Sequence, residues 1–169
     1  MLLLDVNVLV YAHRRDAEDH ARYRRWLEKV LSADETFGVA DLALSGFLRI
    51  VTHPKVFQPP SAMDLALAFA EEVRKSPNRI RVEPGDRHWE IFAGLCRSAG
   101  ARGNHVPDAY FAAMAIESSC EWITTDRGFS RYPGLRWRHP FPYCLLTCRQ
   151  GEVGGSYPAP GRCNEGPSG

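Results

Sequence analysis

Short apolar runs alternate along this chain with longer stretches whose apolar residues recur at helical spacing, a pattern that predicts strands alternating with helices. Leu2 to Leu4 form an apolar run that ends at Asp5, and Val6 to Tyr11 continue it as a buried strand feeding a helix. From Asp16 to Leu31 the residues Ala17, Ala21, Trp26, Leu27, Val30 and Leu31 recur among many charges, which predicts an amphipathic surface helix with Asp16 as its N-cap. Phe37 to Ala40 reads as a second strand. Leu42 to Val51 reads as an apolar helix that stops before His53-Pro54, because proline disfavours helical geometry in the residue before it. After a Gln58-Pro59-Pro60 loop, Ser61 is the expected cap of a helix from Ala62 to Lys75, and Ile80 to Val82 is a third strand. Asp86 is the expected cap of a helix reaching Ala99, Pro107 fits the first turn of a helix ending at Ser118, and strands follow at Trp122 to Thr125 and Leu135 to Arg138. The alternation implies an α/β fold, a three-layer sandwich with a mainly parallel central sheet flanked by helices. Residues 1–141 form the expected domain. From Pro142 to Gly169 the composition shifts to Gly, Pro, Ser and Cys without periodicity, which predicts a loosely structured tail.

Composition narrows the picture mainly by exclusion. A chain of 169 residues, 44% hydrophobic, supports one well-packed core. The net charge of +1 gives no global basic field, so any polyanion contact must be local. The apolar start meets Asp5 at once and lacks both a basic leader and the length of a membrane span, so the expectation is a cytoplasmic protein without membrane contact. Five cysteines, an odd count, argue against a disulfide framework. Cys144, Cys148 and Cys163 lack the paired short spacings of zinc modules, and none of the six histidines shows metal-ligand spacing. Arg14-Arg15 and Arg22-Arg24-Arg25 offer a place for an RNA backbone with Tyr11, Tyr23 or Trp26 beside it, but interleaved acids and the helical stripe favour a solvated helix face.

The chemistry resides in three aspartates. Asp5 and Asp126 each directly follow an apolar strand, and a parallel sheet binds ligands outside the carboxyl ends of its strands. Asp108 opens the Pro107 helix, where unpaired amides and the helix dipole favour an anion. Carboxylates gathered at one edge repel unless neutralised, and a hard divalent cation held through oxygen ligands is the usual partner. Singly, each residue also has a structural reading: Asp5 as a cap, Asp108 as a dipole partner, Asp126 as the start of an Asp-Arg-Gly turn.

In this order, Leu3-Leu4-Asp5-Val6-Asn7-Val8-Leu9, Pro107-Asp108-Ala109 and Thr124-Thr125-Asp126-Arg127-Gly128-Phe129 resemble the PIN-domain family, and within it the VapC-type ribonuclease toxins of VapBC toxin–antitoxin systems. The resemblance implies a Mg²⁺- or Mn²⁺-dependent endoribonuclease with Asp5, Asp108 and Asp126 as metal ligands, an RNA substrate, a homodimer and a VapB-like antitoxin. Asn7 is expected to steady Asp5, and Arg127 is a candidate clamp for the scissile phosphate. The family usually carries a further acid, commonly Glu, on the helix that here reads Leu42-Ala43-Leu44-Ser45-Gly46-Phe47-Leu48-Arg49 and has none. Ser45 and Asp41 are the candidate substitutes, and the loss favours one cation over two. A phosphatase of the haloacid-dehalogenase type needs an Asp where Asn7 stands, and a zinc nucleobase deaminase needs motifs that are absent. Two readings stay beside the toxin: a non-catalytic PIN-like module binding RNA or protein, and a housekeeping RNA-processing nuclease.

Overall fold

The computed structural model describes residues 1–141. Five short strands, β1 (Leu2–Leu4), β2 (Phe37–Val39), β3 (Arg79–Arg81), β4 (Glu121–Ile123) and β5 (Trp137–Arg138), form one sheet in the order β3-β2-β1-β4-β5. Every pairing is parallel, with Leu3 opposite Gly38 on one side and Trp122 on the other. Consecutive strand residues point to opposite faces, and Leu3 with Leu4, like Trp122 with Ile123, are all fully buried. Both faces of the sheet centre are therefore covered, which makes the three-layer arrangement expected of a parallel sheet. The edge strands carry Arg79, Arg81 and Arg138, charges that blunt an open edge.

Six helices complete the fold: α1 (Val6–His13), α2 (His20–Ser32), α3 (Asp41–Val51), α4 (Met63–Arg74), α5 (His88–Ser98) and α6 (His105–Glu117). α1 packs on α2 and α3, α3 on α4, and α5 on α6. Val6 to Tyr11 belongs to α1 and not to a strand. An apolar run of that length fits either state, and Asp5 decides it by capping the first turn while Val8, Leu9, Val10 and Ala12 are buried as a helix. No helix among the described residues is long and apolar enough to cross a membrane.

Three expected caps serve other purposes. Asp16 binds Arg14 at 2.6 and 2.8 Å, so α2 starts later, after Asp19 in left-handed geometry. Ser61 Oγ accepts from Arg14 Nη1 at 3.1 Å, and α4 starts at Met63 without a side-chain cap. Asp86 is replaced by Glu117 of α6, which accepts the N–H groups of Gly85 and Arg87 just before α5. The arginines of α2 are equally engaged: Arg24 pairs with Glu28 and Glu72, and Arg22 lies over the Phe141 ring. Tyr11 and Tyr23 stack on each other, and Trp26 packs partly buried against the core. Cys96 and Cys120 are free thiols, while the tail and its three cysteines lie outside the described residues.

Candidate active site

From β1 the sheet grows to β2 and β3 on one flank and to β4 and β5 on the other. That reversal opens a crevice at the carboxyl ends of β1 and β4. Asp5 leaves β1 there, and its N–H donates to the Ile123 carbonyl at 3.0 Å, extending the ladder by one residue. A cavity of about 730 Å³ occupies the crevice and is lined by Asp5, Asn7, Asp108 and Asp126, among others.

Asp5 is 6% exposed. Its Oδ1 accepts Val6 N–H at 2.6 Å and its Oδ2 accepts the Thr124 hydroxyl at 2.5 Å. Burial is the largest influence and raises the carboxyl from 3.8 to about 7; the two hydrogen bonds oppose it, and the charges of Asp108 and Asp126 reinforce it. The three aspartates therefore share one field.

Thr124 organises the acid side of the crevice. Fully buried, it donates to Asp5 and accepts from Asn7 Nδ2 and from Asp126 N–H, both at 3.0 Å, which uses all of its hydrogen-bonding capacity. Asn7 Oδ1 in turn accepts Thr125 N–H at 3.3 Å. Asn7 is thus linked to Asp5 through Thr124 and not by a direct hydrogen bond. Thr124 was not singled out from sequence; the signal available was its place between the strand end and Asp126.

Asp108 lies in the first turn of α6, with His105 Nδ1 at 3.5 Å from its Oδ2. The helix terminus and His105 favour the charged form, yet burial, first, and Asp126 raise its carboxyl above the ordinary value. Asp126 is the most exposed of the three. Its Oδ1 accepts Gly128 N–H at 2.6 Å to cap the turn Arg127–Arg131, so Asp126 has the expected turn role and also lines the cavity. A Cβ on Gly128 would stand 2.9 Å from that oxygen, which explains the glycine. Among the described residues no three His, Cys, Asp or Glu side chains close around a point that would hold a metal ion.

α3 also lines the cavity, through Leu42, Ser45, Gly46, Arg49 and Ile50. Ser45 reaches the cavity. Asp41 does not: its carboxylate pairs with Arg79 at 3.0 Å, with Arg74 and Arg81 at 3.7 Å. Gly46 packs so closely on α1 that a Cβ would meet Val6 Cγ2 at 3.1 Å. Arg127 is exposed, lies off the cavity lining, and its charge is felt at His139. Arg49 was not considered from sequence, although it is the one charge between Leu42 and Thr52.

The PIN domain model matches residues 2–135. Ribonuclease VapC43 of Mycobacterium tuberculosis is 45% identical over 140 residues, covering 83% of this chain and 95% of that protein. Ribonuclease VapC25 of the same organism is 39% identical, covering 83% and 99%. Among solved structures, VapBC2 from Rickettsia felis bound to a promoter DNA fragment gives a TM-score of 0.59 at 17% identity, covering 82% of this chain and 97% of that one. The sarcin-ricin-loop-cleaving toxin VapC20 of Mycobacterium tuberculosis gives 0.57 at 16% identity, covering 80% and 99%.

Proposed function

This chain belongs to the PIN-domain family and to its VapC ribonuclease branch, and from that premise we propose that it is a metal-dependent endoribonuclease, the toxin of a toxin–antitoxin pair. The observation that carries the reading is the convergence of Asp5, Asp108 and Asp126 on one cavity, close enough for the last two to raise the carboxyl of the first. Acids that destabilise one another at the mouth of a crevice are a mark of function more than of packing. Their oxygen-only donor set fits a hard cation, Mg²⁺ or Mn²⁺.

Asp5 and Asp108 would hold that ion. When bound, it supplies an activated water and neutralises charge on the phosphodiester. Thr124 fixes Asp5 Oδ2, and Asn7 fixes Thr124, so the buried ligand keeps one orientation without a direct hydrogen bond from Asn7. Asp126 completes the acidic pocket or orients the attacking water. No side chain needs to act as nucleophile. The substrate is RNA in the cytoplasm, and the partners are a VapB-like antitoxin and a second copy of this chain. Met63, Leu65 and Leu67, exposed apolar residues of α4, support such protein contacts.

Incubation of the purified chain with total bacterial RNA in Mg²⁺, in Mn²⁺ and in EDTA, alongside Asp5→Asn, tests the reading. Discrete products that need both metal and Asp5 are expected. The missing acid on α3 favours a second reading, a PIN-like binding module, and RNA retained in a shift assay without cleavage in any metal would establish it.

A further inference from the structure

The cavity lining is unequal in charge. Asp5, Asp108 and Asp126 all line it, and Arg49 is the single cationic residue among those lining the cavity. Other positive groups stand near the acids but are committed elsewhere: Arg131 Nε donates to the Gly128 carbonyl at 2.8 Å, and His105 faces Asp108. Arg49 makes no ion pair and no side-chain hydrogen bond to any described residue, whereas Arg14, Arg24, Arg79 and Arg138 all do.

We propose that Arg49 is a substrate-binding residue, a guanidinium that takes an RNA phosphate at the α3 wall of the cavity. The inference rests on the ribonuclease reading above and adds a residue to it. Three features support it. Leu42, Ser45, Gly46 and Arg49 are spaced to lie on one face of α3, and all four line the cavity. Ser45 and Arg49 are one turn apart, about 6 Å along the axis, so a hydroxyl and a guanidinium flank the same space. Position 46, tight against Val6, is a glycine and so carries no carboxylate that would pair with the arginine.

The charge balance gives the arrangement its purpose. RNA must bring a phosphodiester up to three carboxylates that repel it, and a divalent cation held by them would cancel only part of that field. A guanidinium in the same lining attracts the phosphate, and its planar fork matches two phosphate oxygens where an ammonium would act as a point charge. With an acid at this place on the helix, the wall would add to the repulsion. In this chain it opposes it.

The test separates binding from cleavage. Binding of a fluorescent single-stranded RNA oligonucleotide of mixed sequence is measured across a salt series for the full chain carrying Asp5→Asn, and for the same chain with Arg49→Ala or Arg49→Lys added. Cleavage of total RNA is measured for Arg49→Ala and Arg49→Lys on the otherwise native chain. Loss of one phosphate contact lowers the slope of log affinity against log salt by about 0.7 for a single strand. Arg49→Ala is expected to show that lower slope, about tenfold weaker binding, and a raised KM with kcat changed less than KM. Arg49→Lys is expected to restore the slope and only part of the affinity. An unchanged slope and KM in Arg49→Ala, or a fall in kcat alone, overturns the assignment. A native chain that cleaves no RNA in any metal refutes the ribonuclease reading instead, and the binding series still decides whether Arg49 meets RNA.

Discussion

Among the described residues, the two ends of α1 hold the two most deeply buried of the Asp, Glu, Lys and Arg side chains, and they differ in how fully each is satisfied. Asp5 precedes the helix and Arg14 follows it, at 6% and 8% exposure. Arg14 is nearly complete: Nε and Nη2 bind Asp16, Nη1 donates to the Pro59 carbonyl and Ser61 Oγ, and the guanidinium lies 4.2 Å from the Phe57 ring centroid. Asp5 also has partners, but it faces two further carboxylates that make its charge unfavourable. A buried charge answered by an opposite charge holds a loop in place. One left in conflict with its neighbours is poised for something that is not part of the fold.

The largest expected effect is at Asp5. Asp5→Asn should lower RNA cleavage by at least about a thousandfold, several kcal/mol of lost transition-state stabilisation, measured as initial rate in Mg²⁺. Stability should move the other way. The folded carboxyl titrates near 7 and the unfolded one near 3.8, so between those values the folded state binds the extra proton. Stability of the metal-free protein therefore falls as pH rises through that window and levels off above it. At about 1.4 kcal/mol per unit, the loss is on the order of 4 kcal/mol, which asparagine would not suffer. Thermal melts in EDTA from pH 4 to 8 should show a slope in the native chain that is flatter in Asp5→Asn. Equal slopes would place Asp5 outside the conflict described.

Thr124→Val comes next. It leaves Asn7 Nδ2 and Asp126 N–H without their acceptor and removes the bond that favours ionised Asp5. A stability cost of about 1–3 kcal/mol and a fall in cleavage of about 10–100-fold are expected, with Thr124→Ser close to native in both. At the other end of α1, Arg14→Ala should cost about 1–3 kcal/mol in urea unfolding while cleavage, assayed well below the melting temperature, stays within about twofold, a change worth less than 1 kcal/mol. A large loss of activity in Arg14→Ala, with the fold intact, would erase the distinction between the two ends.

Much of this arrangement was legible in the sequence because it is local or periodic. The strand-then-Asp pattern located Asp5 and Asp126, and the Pro107 helix start located Asp108. What escaped depends on tertiary partners. Asp16, Ser61 and Asp86 have the chemistry of caps, but Arg14 claims the first two and Glu117 supplants the third, and no local rule reveals a competitor that folds in from elsewhere. Thr124 and Thr125 are indistinguishable in composition. Only the register of β4 against β1 directs the hydroxyl of Thr124 to Asp5 and the backbone N–H of Thr125 to Asn7. Asp41 had the right chemistry on the right helix, and the arginines of β3 and α4 hold it away from the cavity.

Gly46→Ala offers the smallest and most local probe of the acid end of α1. Alanine is favoured over glycine in a helix by about 1 kcal/mol, but here its Cβ would lie 3.1 Å from Val6 Cγ2, tighter than an ordinary contact. Val6 is the residue whose N–H binds Asp5 Oδ1, so any shift of the first turn of α1 is transmitted to the buried carboxylate. The two contributions should nearly cancel in stability, leaving a change in melting temperature of at most about 2–4 °C, the equivalent of 1 kcal/mol in a chain of this size. If the spacing of α1 and α3 serves only packing, cleavage will follow stability and barely change. A loss of activity out of proportion to the melting temperature would mean that the close approach of Gly46 to Val6 helps set the position of Asp5, and that the missing side chain on α3 is part of how this acid is aimed.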